Sequence, residues 1–215
     1  VSRADGSLPP RYFEALYARD PDPWRFASSD YERAKYAATL AALARPRYER
    51  VFEVGCSIGV LTEALAPRSG VLLAVDAAEA PLAAARQRCA RLIQPAFQRM
   101  RVPEEWPAGS TFDLILLSEV VYYLDAADIR RLAARVGASL APNGEVLLVH
   151  WTGETDYPLS GDEAAELFMV AAAPFARPAK QSRTAQYRLD WLRAGTAGGG
   201  EPGWHGRHAG PAASP

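Results

Sequence analysis

The segment Val51-Phe52-Glu53-Val54-Gly55-Cys56-Ser57-Ile58-Gly59 constrains this chain more than any other stretch. A short apolar run meets a glycine-bearing turn, a helical pattern follows, and a second apolar run closes on Asp76. The layout predicts strand, tight turn, helix and strand, with a carboxylate at the tip of the second strand. Such a turn is needed where backbone must lie against an adenosine-bearing cofactor. Gly55 can adopt backbone angles closed to other residues, and neither it nor Gly59 puts a side chain in the cofactor's way. Asp76 stands where an acidic residue, about 20 positions past the glycines, accepts ribose hydroxyls in dinucleotide folds.

Around this unit the pattern alternates. Strands are expected over residues 50–54, 71–75, 96–100, 113–117 and 145–150, and helices over 59–66, 78–92, 126–141 and 160–172. Apolar strands alternating with helices imply a parallel sheet covered on both faces. Pro142-Asn143-Gly144 reads as the turn into the fifth strand. Residues 174–180 and 184–192, joined by Gln181-Ser182-Arg183, read as a closing antiparallel pair. Ahead of the alternation, a helix is expected over 8–18. The prolines of Asp20-Pro21-Asp22-Pro23-Trp24 then forbid helix, and a second helix, capped by Ser29 or Asp30, runs over 31–44 to Pro46. The chain thus divides into a helical cap or lid (1–48), a cofactor-binding core (49–194) and a Gly-, Ala- and Pro-rich tail (195–215) expected to be disordered.

Composition narrows the partners. With 215 residues, 49% hydrophobic and 23% charged, the chain fits one globular core with appendages. A net charge of -1 gives no electrostatic footprint for nucleic acid or an anionic membrane. No apolar run reaches the ~18–20 residues that span a bilayer, and the first residues lack the apolar core of a secretion signal. The two cysteines, Cys56 and Cys89, make neither a disulfide framework nor a metal site, and no metal is expected. The cytoplasm is the expected location.

Three features select the cofactor. Gly55 and Gly59 lie four apart with Ser57 between, so no G-x-G-x-x-G cradle for a pyrophosphate can be read. Glu53, two residues before Gly55, would repel a pyrophosphate but suits a cationic amino and sulfonium end. Finally Phe112-Asp113-Leu114-Ile115-Leu116-Leu117-Ser118-Glu119 is an apolar strand opening on a polar tip beside the expected cleft. A nicotinamide dehydrogenase is disfavoured on the first two grounds.

These residues resemble the class I S-adenosylmethionine-dependent methyltransferases. Glu53-Val54-Gly55-Cys56-Ser57-Ile58-Gly59 looks like their first motif with Ser57 in place of the middle glycine, Asp76 matches their acidic residue after the second strand, and Phe112-Asp113-Leu114-Ile115 matches their fourth strand. The resemblance covers roughly residues 31–192. It implies a three-layer Rossmann-like α/β fold with a seven-stranded, mostly parallel sheet, an antiparallel last strand and an N-terminal helical cap. It also implies S-adenosyl-L-methionine as cofactor and S-adenosyl-L-homocysteine as product. Met100-Arg101-Val102 replaces the acidic residue that many members carry after the third strand, so adenine would be held by packing on Met100 or Val102 and by backbone hydrogen bonds. Asp22-Pro23-Trp24-Arg25, Tyr31-Glu32-Arg33-Ala34-Lys35-Tyr36 and Ser118-Glu119-Val120-Val121-Tyr122-Tyr123-Leu124 are similar to the nodulation protein S group. That resemblance implies an amine acceptor on an amino sugar or oligosaccharide.

Candidate roles follow. Glu53, Gly55, Cys56, Ser57, Gly59, Asp76, Ala77, Met100, Arg101 and Ser118 are expected at the cofactor. Trp24 would be a lid over it and Arg33 would reach the methionine carboxylate. An amine is largely protonated at neutral pH, so a group must accept its proton. Glu119 and His150 are the candidates, against the alternatives of a cap and a satisfied structural histidine. Tyr122 and Tyr123 could flank a cationic acceptor, although neighbours on a regular helix or strand cannot both face one pocket. Trp151, Asp156 and Tyr157 fall in the loop where an acceptor would bind. Competing readings are O-methylation of a small hydroxylated metabolite, which His150 would serve equally, and a nucleotide-fold binding protein without turnover.

Overall fold

The computed structural model describes residues 3–195. Two helices, α1 (Pro10–Arg19) and α2 (Asp30–Ala42), precede the sheet. Then β1 (Tyr48–Val54), α3 (Val60–Leu65), β2 (Ser69–Asp76), α4 (Glu79–Arg88) and β3 (Pro95–Arg99) form the first half. The second half runs β4 (Phe112–Ser118), α5 (Ala126–Ser139), β5 (Leu140–Trp151), α6 (Gly161–Ala172), β6 (Ala176–Arg183) and β7 (Tyr187–Ala194). The strands make one sheet of order β3-β2-β1-β4-β5-β7-β6, with β7 antiparallel to both its neighbours and the other pairs parallel. This is the Rossmann-like arrangement of class I methyltransferases, as expected from the sequence.

The apolar runs of β1 and β4 are buried on both faces: Val51, Phe52, Leu114, Ile115 and Leu117 are fully covered. One face packs on α5 and α6 through Ile129, Leu132, Val136 and Phe168, and the other carries Leu61, Leu65, Leu72 and Leu116. Burying each such side chain contributes roughly 1.5–3 kcal/mol, so the strand ends are held rigidly enough to carry a site.

Boundaries differ from expectation where local chemistry decides them. The first helix starts at Pro10 rather than Leu8, because Pro9 before a proline is held extended (φ -75°, ψ 156°). Leu8 instead donates its N–H to the Tyr123 carbonyl at 2.8 Å. The fourth helix stops at Arg88, its last turn tightening into the bonds Ala90 N–H to Gln87 and Leu92 N–H to Cys89. The Pro142-Asn143-Gly144 turn sits inside the assigned span of β5 as a bulge, opposite a register shift between Phe112 and Leu114, with Asn143 at φ 58°. The last hairpin turns at Thr184, not at Gln181-Ser182-Arg183: the Thr184 hydroxyl accepts from the Gln186 and Tyr187 N–H groups. The expected disorder of the tail lies, from residue 196 on, outside the described residues. Among the described residues no helix is long and apolar enough to cross a membrane.

Candidate active site

The sheet order reverses between β1 and β4, and open α/β sheets bind ligands in the crevice beyond the strand ends at that point. A cleft of about 1080 Å³, measured out to its open mouth, lies there. Its floor is Glu53, Gly55, Cys56, Ser57, Asp76 and Ala77, with Met100, Arg101 and Val102 at one end and Ser118 and Glu119 at the other.

The turn after β1 is wound by left-handed backbone at Gly55 (φ 77°), Ser57 (φ 48°) and Gly59 (φ 78°). A Cβ on Gly55 would lie 2.1 Å from Val120 Cγ1, so this turn must be bare to pass the segment after β4. Gly59 is different: its Cβ would strike the Ala85 backbone at 2.9 Å, and it is absent from the cleft wall. It packs α3 on α4, away from the cleft wall where a cofactor contact was expected of it.

Two carboxylates define the polar floor. Glu53 is 2% exposed with one oxygen, Oε2, lacking any partner, and burial pushes its carboxyl up to about 7. Asp76 accepts from the Ser57 and Ala78 N–H groups, both at 3.0 Å, and burial still holds it up at about 6. Ser57 in turn shares a 2.5 Å hydrogen bond with the Tyr17 hydroxyl, which brings α1 down over the turn. Phe13 and Tyr17 of α1 line the cleft.

Trp24 also roofs the cleft, stacked on Phe26 at 5.5 Å. Asp22 builds that turn, its carboxylate accepting from the Phe26 and Ala27 N–H groups. Arg25 faces outward toward Asp20. Arg33 does not reach the cleft: its side chain is 58% exposed and pairs with Asp30 and the Ser28 carbonyl. It lies on the outer face of α2, because Glu32, Lys35 and Thr39 take the inner one.

A second cavity, about 740 Å³, adjoins the first and shares Trp24, Phe26, Glu119 and Tyr123 with it. Tyr31, Glu32 and Lys35 from α2 face Tyr122, Trp151 and Tyr157 across it. Tyr122 and Tyr123 both line this cavity, contrary to the expectation for neighbours, because they sit on a single 3-10 turn, Val121–Tyr123. Asp156 is not in the cavity wall. Glu119 stands at the junction in a left-handed conformation (φ 56°) that is costly for a residue with a side chain. Its carboxylate accepts from Lys35 Nζ at 2.5 Å, the Tyr122 hydroxyl at 2.7 Å and the Trp151 N–H at 2.9 Å.

His150 corrects the sequence expectation. It is fully buried, lines neither cavity, and its Nε2 accepts from the Val121 N–H at 3.1 Å. Burial pulls its imidazole down to about 4, so it is a neutral structural acceptor holding the 3-10 turn. Conversely, sequence reasoning gave no role to Glu32 and Lys35. Their signal was present: on α2 they share the stripe of Tyr36, Thr39 and Leu40, so charge stands where the buried face of the helix falls.

The fold and the cleft at the switch point define the class: the Rossmann-like fold of the class I methyltransferases. Among solved structures, a Pseudomonas syringae protein assigned to the methyltransferases is 37% identical, covers 76% of this chain and 98% of its own, with a TM-score of 0.66. The N-methyltransferase NodS from Bradyrhizobium japonicum WM9, solved with S-adenosyl-L-homocysteine, matches at TM-score 0.73 over 86% of this chain and 97% of its own, at 22% identity. The nodulation protein S family profile matches residues 14–149, and the chain belongs to that family. Nodulation protein S of Rhizobium tropici is 33% identical over 130 residues, 59% of this chain. The chain spans 53% of that relative and 59% of two further nodulation S proteins.

Proposed function

We propose that the protein transfers a methyl group from S-adenosyl-L-methionine to an amine of a small acceptor, an amino sugar or oligosaccharide in keeping with its family. The observation that carries this reading is the pair of adjoining cavities, one floored by a buried carboxylate with a free oxygen, the other acidic and aromatic. The residues fit the cofactor. Glu53 Oε2 is a buried carboxyl oxygen without a partner, which suits an ammonium group, and Gly55, where any Cβ would strike Val120, leaves bare backbone on the cleft floor. Asp76 keeps lone pairs for ribose hydroxyls beyond the two backbone bonds it accepts, and Met100 and Val102 offer apolar surface to adenine.

When bound, S-adenosyl-L-methionine supplies an electrophilic methyl group on a sulfonium. The chain's own work is alignment and exclusion of water. Trp24, Phe26 and Tyr123 wall both cavities, and their rings favour cationic partners on either side. Holding two reactants in line contributes up to ~7–11 kcal/mol in well-oriented systems. Glu119, locked by three donors, sets the polarity of the passage between the cavities. The near-neutral net charge supports a small-molecule acceptor rather than nucleic acid or a membrane surface, and two buried free cysteines fit a reducing, cytoplasmic setting.

Calorimetry with S-adenosyl-L-homocysteine, with NADH in parallel, tests the cofactor. Binding of the first alone is expected, and binding of NADH, or of neither, refutes the reading. Methyl transfer to glucosamine and its deacetylated oligomers, set against a panel of hydroxylated metabolites, tests the acceptor.

A further inference from the structure

The second cavity has polar chemistry in its wall that nothing in the protein satisfies. Three buried oxygens there have no partner: the Tyr31 hydroxyl, Glu32 Oε2 and the Thr155 hydroxyl. Each such group left unpaired costs on the order of 1–3 kcal/mol, so their grouping on residues that line one cavity marks a place for a polar occupant.

Beside them lies a buried charge cluster. Lys35, 2% exposed, puts Nζ 3.0 Å from Glu32 Oε1 and 2.5 Å from Glu119 Oε1. Two carboxylates against one ammonium leave one negative charge uncompensated when both are ionised. The atoms show where that charge is available. Glu119 accepts three hydrogen bonds over its two oxygens, whereas Glu32, a residue of the cavity wall, has one oxygen on Lys35 and the other buried without a partner. Other groups at hand are less well placed. The Tyr122 and Tyr123 phenols are held neutral by burial, His150 is behind the wall, and Glu154 is exposed.

We infer that Glu32 is the residue that takes the proton of an ammonium acceptor in the second cavity, with Lys35 and Glu119 as the pair that positions it. The inference rests on the amine-methyltransferase reading above. In the step, an N–H bond of the ammonium breaks and its proton passes to Glu32 Oε2. The electron pair left on nitrogen forms the new bond to the methyl carbon, and the carbon–sulfur pair leaves on sulfur. Product is a methylammonium, and the Glu32 proton returns to water as the cavity empties. Burial raises the Glu32 carboxyl above its ordinary value while Lys35 draws it back, so it holds a proton better than a surface carboxylate. The ionisable groups around it are Lys35, Tyr31 and Tyr36 on α2, Glu119 and Tyr122 after β4, and Glu154 and Tyr157 after β5.

The test compares wild type, Glu32→Gln and Glu32→Asp with glucosamine as the amine probe, over pH 6–10. In Glu32→Gln, kcat at pH 7 is expected to fall at least ~100-fold, the range of a lost general base. Its rate should climb steeply with pH as the amine deprotonates in solution. Affinity for S-adenosyl-L-homocysteine should stay within about 2-fold, because Glu32 does not line that cleft, while glucosamine binding to the S-adenosyl-L-homocysteine complex weakens at least ~10-fold, the scale of a lost charge-assisted bond. Glu32→Asp should keep the wild-type pH profile at a reduced rate. A Glu32→Gln enzyme with the wild-type rate and profile overturns the inference, as does one equally impaired at every pH with its S-adenosyl-L-homocysteine binding lost. Wild type that methylates hydroxyl probes and no amine overturns the amine reading itself, and the inference with it.

Discussion

Burial lifts Glu53 from 4.5 to about 7, so between those values the folded protein keeps a proton there that the unfolded chain gives up. Its contribution to stability is full below about 4.5 and is lost as pH rises through about 7. Glu53→Gln removes that loss. In urea unfolding the variant should gain on wild type between pH 5.5 and 8.5, by up to ~3 kcal/mol at the upper end. The same variant should bind S-adenosyl-L-homocysteine at least ~10-fold more weakly, since the charge-assisted bond to the amino group proposed for Glu53 would be gone. Wild-type affinity should rise with pH toward 7, because the ligand's ammonium favours the ionised carboxylate. Asp76→Ala, which also frees the Ser57 and Ala78 N–H groups, should weaken the same binding by ~10–100-fold in calorimetry, the range for one or two hydrogen bonds to a charge. At this scale Glu53, Gly55 and Asp76 were legible in the sequence because each stands at a strand end, and strand ends meet the crevice. Arg33 and His150 were not, because chemistry and spacing do not say whether a side chain faces a cavity or lies behind its wall.

Elements show the same division between local and tertiary causes. Strand and helix order followed from period and turn residues, and even the β6–β7 hairpin was foreseen, its turn displaced by three residues. The stripe of Tyr36, Thr39 and Leu40 marks one face of α2, but that Glu32 and Lys35 are buried with it could not be read, since charged side chains ordinarily stay in water. Lys35→Met should therefore be among the most damaging changes in the helix. It leaves Glu32 and Glu119 buried without their shared cation, a loss of ~3–5 kcal/mol by analogy with other broken buried pairs, measurable as a fall in urea midpoint. Gly59→Ala tests the reassigned role of that glycine. With φ at 78° and Ala85 in the way, it should lower stability by ~1–3 kcal/mol. Affinity of the folded protein for S-adenosyl-L-homocysteine should change by less than about 3-fold if the residue only packs α3 on α4.

In the whole molecule the N-terminal helices close a site that the sheet alone leaves open. Trp24 belongs to both cavities, so Trp24→Ala should raise Kd for S-adenosyl-L-homocysteine and KM for the acceptor together, each by roughly 5–50-fold, the scale of ~1–2.3 kcal/mol of lost contact. Steady-state kinetics alongside calorimetry would separate this from a defect at one ligand alone. The two cavities are otherwise built from different parts of the chain. The cleft is dominated by the ends of β1, β2 and β4, where a change of residue disturbs the core. The second cavity draws on α2 and on the loop that follows β5, whose Glu154 and Thr155 stand outside the sheet. Apart from Trp24, Phe26, Glu119 and Tyr123 the two walls have no residue in common. Descendants of such a scaffold are free to drift in what they accept while what they consume is conserved, and duplication of the gene would give lineages that diverge first in their loops.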